Sequence, residues 1–196
     1  MATIWQLYRF DYEEYLQLKP VLSRANSTED LLEIAETQNL IAIANALEDN
    51  EIEIEEARQA FVLARCCLGE ATIFDRSFLR LITKLRRDLD TEDVADLLGE
   101  ALAGGKNLEW WLGSPGELLS FLTPNETLRL QKSFPAENVH KNRNRRSGGP
   151  FQPATRLLRR LFDLPPSLAE MMASLTDLVC YAAARQEGIV FISERD

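Results

Sequence analysis

The 196-residue chain is 45% apolar and 27% charged, with a net charge of −9, the proportions of a globular protein rather than of a disordered or collagen-like chain. Its length suits one domain, residues 1–196, which buries roughly 70% of its unfolded surface and needs no disulfide or structural metal. Residues 1–15 hold no basic segment followed by a long apolar run, and no stretch reaches about 18 apolar residues, so the sequence predicts neither signal peptide nor membrane span.

Three cysteines, Cys66, Cys67 and Cys180, are an odd number with two adjacent. They read as reduced thiols in a cytoplasmic protein, because neighbouring residues rarely meet disulfide geometry. Charge is uneven along the chain. Residues 141–196 hold nine bases against six acids, and the remainder holds 13 bases against 25 acids. An acidic whole argues against general nucleic-acid binding without excluding a local basic surface.

In chain order, Thr3–Phe10 has the aromatic and branched composition of a strand. Asp11 is an N-cap for a helix through Leu22 that contains Pro20. Ser27 opens a second helix, with Glu29 and Asp30 in its first turn, and the spacing carries it to Leu47. The acidic link 46–55 leads into a third helix on Ile54, Ala57, Phe61, Ala64 and Leu68, which Gly69 is expected to end. Asp75 to Leu89 is the clearest amphipathic helix. Phe78, Leu81, Ile82, Leu85 and Leu89 form its apolar face, and Arg76, Arg80, Lys84 and Arg87 form its basic one.

Thr91 caps a further helix that stops at Gly104-Gly105. Ser114-Pro-Gly-Glu117 and Thr123-Pro-Asn-Glu126 each place a hydroxyl at N-cap, proline at N1 and glutamate at N3, which predicts two short helices in succession. Residues 135–153 lack apolar periodicity and read as an exposed basic loop. Ala154–Phe162 follows as a basic helix. Pro165-Pro166 starts a long helix with Leu168, Met171, Met172, Leu175, Leu178, Val179 and Ala182 on one stripe, and Gly188 is expected to end it. Residues 189–192 are continuously apolar, the pattern of a strand buried on both faces. The fold class is therefore α+β and predominantly helical: a multi-helix domain whose terminal strands pair, because a lone strand is unstable.

Assembled catalytic motifs are missing from the sequence. His140 is the only histidine and lies in the polar loop, which removes multi-histidine metal sites. The nine glycines form neither a P-loop nor a dinucleotide fingerprint. Glu51, Glu53 and Glu55 lack the central glycine and terminal glutamate of a calcium loop. No cofactor, metal ligand or catalytic residue is assigned. Trp110 and Trp111 are either core residues at a helix junction or an aromatic platform. In the second case a carboxylate-dependent hydrolase or transferase with a cleft beside them is the alternative function.

Three basic groups stand out: Arg76, Arg80, Lys84 and Arg87; Lys141, Arg143, Arg145 and Arg146; and Arg156, Arg159 and Arg160. They read either as solvated faces paired with the chain's own acids, residues 48–56 in particular, or as a surface for an anion or acidic partner. The expected function is a non-catalytic macromolecular interaction domain. Its partner is another protein or a second copy of the chain, with neither nucleic acid nor membrane.

Leu122-Thr-Pro-Asn-Glu126 opening a helix, the long helix running into residues 182–192, and the aromatic first strand resemble a bacterial family of unknown function, the YfbM-like proteins. The likeness covers about a third of the chain. It implies an α+β fold and assigns no activity, and so no site residues.

Overall fold

Successive side chains of a strand point to opposite faces, and the first strand, β1 (Thr3–Phe10), uses both. Trp5 and Leu7 enter one apolar cluster; Tyr8 and Phe10 enter another. The last strand, β4 (Gly188–Arg195), does the same with Ile189 and Phe191 on one side and Val190 and Ile192 on the other. The two run antiparallel in unbroken register from Thr3 opposite Arg195 to Phe10 opposite Gly188. This is the pairing of terminal strands expected from the sequence. A computed structural model describes residues 3–88, 97, 118–134 and 166–195; the fold is described from these.

Two further strands complete an antiparallel sheet of order β2-β1-β4-β3: β2 (Cys67–Phe74) beside β1, and β3 (Leu118–Leu122) beside β4. Seven helices, counted among the described residues, cover the sheet's two faces. On one side lie α1 (Tyr12–Arg24), α2 (Thr28–Thr37), α3 (Ile41–Glu48) and α4 (Ile54–Cys66). On the other lie α5 (Phe78–Asp88), α6 (Pro124–Ser133) and α7 (Pro166–Ala184). The architecture is helix layer, sheet, helix layer, of α+β class and mostly helical. Among the described residues no helix is long and apolar enough to cross a membrane.

Several elements follow their sequence signals closely. Asp11 caps α1 by accepting from the Glu14 amide at 2.9 Å. Pro20 lies on the exposed side of α1 with Leu16, and the helix continues through it. Thr123 and Glu126 form the expected reciprocal capping box at the start of α6. Phe78, Leu81, Ile82 and Leu85 are buried on α5. The stripe of α7 is buried too, with Met171 only partly so.

Other elements depart from the expectation. The helix predicted from Ser27 to Leu47 is two, α2 and α3, because Asn39 adopts φ 56°. There the Leu40 amide donates to the Ala35 carbonyl (2.8 Å) and the Asn39 amide to the Glu36 carbonyl (3.0 Å). This is a Schellman ending with asparagine where glycine is usual. The third helix stops at Cys66, not beyond Leu68. Gly69 is no helix terminator: at φ 75° it sits in β2, where the pairing with β1 slips between Leu7 and Arg9 and a bulge forms. Leu118–Leu122 is a strand rather than the first of two short helices, since its backbone pairs with β4 from Ser193 to Ile189. The first capping box, Ser114 to Glu117, lies outside the described residues.

The end of α7 is also displaced from the expected glycine. Gln186 takes the left-handed conformation at φ 58°, and the Glu187 amide returns to the Ala182 carbonyl at 3.0 Å. Gly188 serves a different need. A Cβ there would lie 2.3 Å from the Leu122 carbonyl oxygen, so only glycine lets the end of β3 approach the start of β4. Gly188→Ala should therefore cost about 3 kcal/mol, the upper part of the overpacking range, because backbone must move. Gln186→Gly should stabilise by about 0.5 kcal/mol. Relief of the roughly 1–2 kcal/mol left-handed cost is partly offset by glycine's unfolded-state entropy. Urea denaturation of the two variants checks both signs.

Candidate functional site

The basic face of α5 is the feature that the sequence singled out. Arg76, in the turn before the helix, and Arg80 are exposed, and Lys84 is half-buried. No carboxylate among the described residues lies within 4.0 Å of Arg76 or Arg80. Arg87 is in the same helix, but its side chain is outside the described residues. Also outside them are Trp110, Trp111, Lys141, Arg143, Arg145, Arg146, Arg156, Arg159 and Arg160.

The fold bears directly on where α5 could find a counter-charge. Acidic residues 48–56 join α3 to α4, on the opposite side of the sheet from α5. Within that segment Glu55 meets Arg58 at 3.3 Å, and Glu56 accepts from the Glu53 amide at 2.9 Å. Of the two readings of the basic face, pairing with this segment is disfavoured, because the sheet stands between them.

Arginines that do find partners are held by contacts remote in sequence. Arg58 is buried, and its Nη2 donates to the Ala25 carbonyl at 2.6 Å, tying α4 to the end of α1. Arg65 meets Glu14 at 2.6 Å. Arg9 donates to both carboxylate oxygens of Glu187, 178 positions away, at 3.2 and 3.1 Å. It also lies 4.7 Å from the Tyr181 ring centroid, whose other neighbour is the Arg185 guanidinium at 3.6 Å. The β2 bulge lies under this group, since a Cβ on Gly69 would come within 3.0 Å of the Arg9 guanidinium. Such a contact between β1, β2 and α7 leaves no local motif to detect. Exposed cation–π contacts of this kind contribute about 0.5–1 kcal/mol each.

A second feature, also missed, is a groove of about 430 Å³ on the other helical layer. α1 packs on α4, and α2 packs on α3 and α4. The end of α1 and the face of α2 stand apart, with Val21, Arg24, Ala25, Asp30, Glu33, Ile34, Thr37 and Gln38 lining the gap. Asp30, Glu33, Ile34, Thr37 and Gln38 recur at three- and four-residue intervals, so the groove follows one face of α2. Asp30 is committed to the helix start: its carboxylate accepts from the Asn26 and Ser27 amides at 3.0 and 3.1 Å. These bonds, led by that from Asn26, hold its pKa below the ordinary carboxylate value. Gln38 Oε1 is buried without a hydrogen-bond partner.

The thiols offer no nucleophile. Burial pushes Cys66 and Cys67 up to about 12 and raises Cys180. Among the described residues no group of three or more His, Cys, Asp or Glu could hold a metal ion. Comparison of the chain with protein-family models, curated proteins and solved structures finds no match.

Protonated thiols react slowly with alkylating reagents. Iodoacetamide at pH 8 should leave Cys66 and Cys67 unmodified in the folded protein and modify both once it is unfolded. The linkage has a definite sign. A thiol raised above its ordinary 9.0 favours the folded state fully below that pH, and the contribution is lost as pH rises towards 12. Denaturation midpoints should accordingly fall above about pH 9. Rapid labelling of the native protein at pH 8 would contradict the burial of Cys66 and the partial burial of Cys67.

Proposed function

We propose that this chain is a cytoplasmic, non-catalytic interaction domain that uses the outer face of α5 to hold an acidic macromolecular partner, another protein or a second copy of itself. One observation carries the reading: Arg76 and Arg80 face solvent without a carboxylate within 4.0 Å among the described residues. Arg80 and Lys84 stand one turn apart on α5, where like charges repel by a few tenths of a kcal/mol, and Arg76 adds a third cation from the preceding turn, so an anion brought to this face relieves a standing cost. A second copy has the right chemistry, because residues 11–66 hold 13 acids against four bases. The whole chain's charge of −9 disfavours a polyphosphate partner, whose binding needs many cations at once. Likeness to the YfbM-like proteins enters this proposal at the level of fold only.

Charge reversal tests it. Wild type should be retained on a polyanion resin at low salt and elute as salt screens the contact. Arg76→Glu with Arg80→Glu should abolish retention while changing stability by no more than about 1 kcal/mol, as exposed substitutions do. A wild type that passes straight through, or a variant retained equally, overturns the proposal.

A further inference from the structure

The groove between α1 and α2 has its own chemistry, independent of the α5 face. Helix α2 carries Glu29, Asp30, Glu33 and Glu36 and no base. Glu29, Glu33 and Glu36 fall on one exposed side of it at spacings of four and three. Across the gap α1 presents Val21, 43% exposed although apolar, with Ala25 buried at the floor and Ile34 half-buried opposite. Arg24 is the one cation among the lining residues, against the carboxylates of Asp30 and Glu33. Both amides donate to Asp30 Oδ2, so Asp30 Oδ1 and the Glu33 carboxylate are the lining acceptors that meet a cationic ligand. Gln38 Oε1 adds a buried acceptor without a donor.

We infer that this groove is a docking site for a cationic amphipathic helix of a partner protein. Size, apolar content and charge each support the assignment. Five of the lining residues, Asp30, Glu33, Ile34, Thr37 and Gln38, follow one face of α2, and a helix laid along that face can insert side chains between it and Val21. Val21, Ala25 and Ile34 supply the apolar contact for that face. The acidic side of α2 selects lysine or arginine flanking the partner's apolar residues, and the surrounding layer reinforces the choice with its 13 acids against four bases. An acidic helix would meet like charge and be rejected. At about 430 Å³ the volume suits a few side chains of a helix rather than a whole folded domain.

Fluorescence anisotropy with labelled probe peptides tests this on the full-length protein. The probes are a Lys/Leu amphipathic helix of about four turns, its Glu/Leu counterpart and a Lys/Ser peptide of equal charge. The Lys/Leu probe should bind at least about tenfold more tightly than either of the others. Val21→Ser and Glu33→Lys should each weaken it by about tenfold, whereas Glu48→Lys, on the same acidic layer outside the groove, should change it less than about twofold. All three positions are exposed, and circular dichroism confirms that each variant is folded. Equal loss with Glu48→Lys, or equal binding of the Lys/Ser peptide, reduces the effect to general charge attraction and overturns the proposal. So does an absence of binding. Arg76→Glu with Arg80→Glu should leave the affinity unchanged, which keeps this result separate from that of the α5 face.

Discussion

The rest of the molecule hangs on the pairing of its two ends. β1 and β4 are the inner strands of the sheet, and each contributes side chains to both apolar clusters. Leu7, Phe10, Ile189, Val190 and Phe191 are completely buried. Each contributes roughly 1.5–3 kcal/mol of transfer free energy, so the inner strands alone outweigh any set of surface charges on the helices. Bringing the ends of so long a chain together adds little further cost, because closure entropy grows only as the logarithm of loop length. Without that ladder neither helical layer has a surface to pack on.

From the same sheet comes the electrostatic character of the protein. Residues 11–66 form one layer and hold 13 acids against four bases, a net charge of −9, so all other residues together are neutral. Two stacked layers would let opposite charges meet. A sheet buried on both faces keeps the acidic helices on one side and the basic side of α5 on the other, beyond the range at which exposed charges in salt attract effectively. Like-charged stripes on α2 and α5 thus persist in one chain without cancelling. Among the described residues, Glu29, Glu33 and Glu36 face solvent on α2, and Arg80 faces it on α5.

Among the described residues, chain reversals rely on residues other than glycine. Asn39, Asn50 and Gln186 all adopt positive φ, and each ends a helix with hydrogen bonds back to its last carbonyls. The two glycines tied to a tight contact do other work: Gly69 forms the bulge beneath Arg9, and Gly188 lets two strands meet. At the α4–β2 junction helix passes into strand with no intervening loop. There the Cys66 carbonyl accepts from the Asp11 amide at 2.8 Å, which joins the end of α4 to the start of α1. Cys66 is buried and Cys67 partly buried at that junction, which raises the pKa of both thiols.

Periodicity and capping are local, and where they decide the outcome the sequence was enough. The apolar face of α5, the stripe of α7, the capping box at Thr123 and the doubly buried last strand were all legible, because each depends on residues within a few positions of one another. The outer strands were not. Residues 67–74 and 118–122 have no alternation strong enough to announce them, and they are strands because β1 and β4 offer unpaired backbone on their free sides. The break at Asn39 was missed because a left-handed asparagine looks like any other polar residue in a helix. The site divides in the same way. That Arg80 and Lys84 share the polar side of α5 was legible, but that Arg76 falls in the turn before it and that acidic residues 48–56 lie across the sheet was not. Nor were the Arg9–Tyr181–Arg185 contacts or the groove between α1 and α2, since both are made by elements that meet only after the sheet has closed. Sequence by itself determined which side of each element is apolar and what charge the other side bears. Tertiary structure alone decided which charged sides could reach one another, because that depends on pairing between residues far apart in the chain.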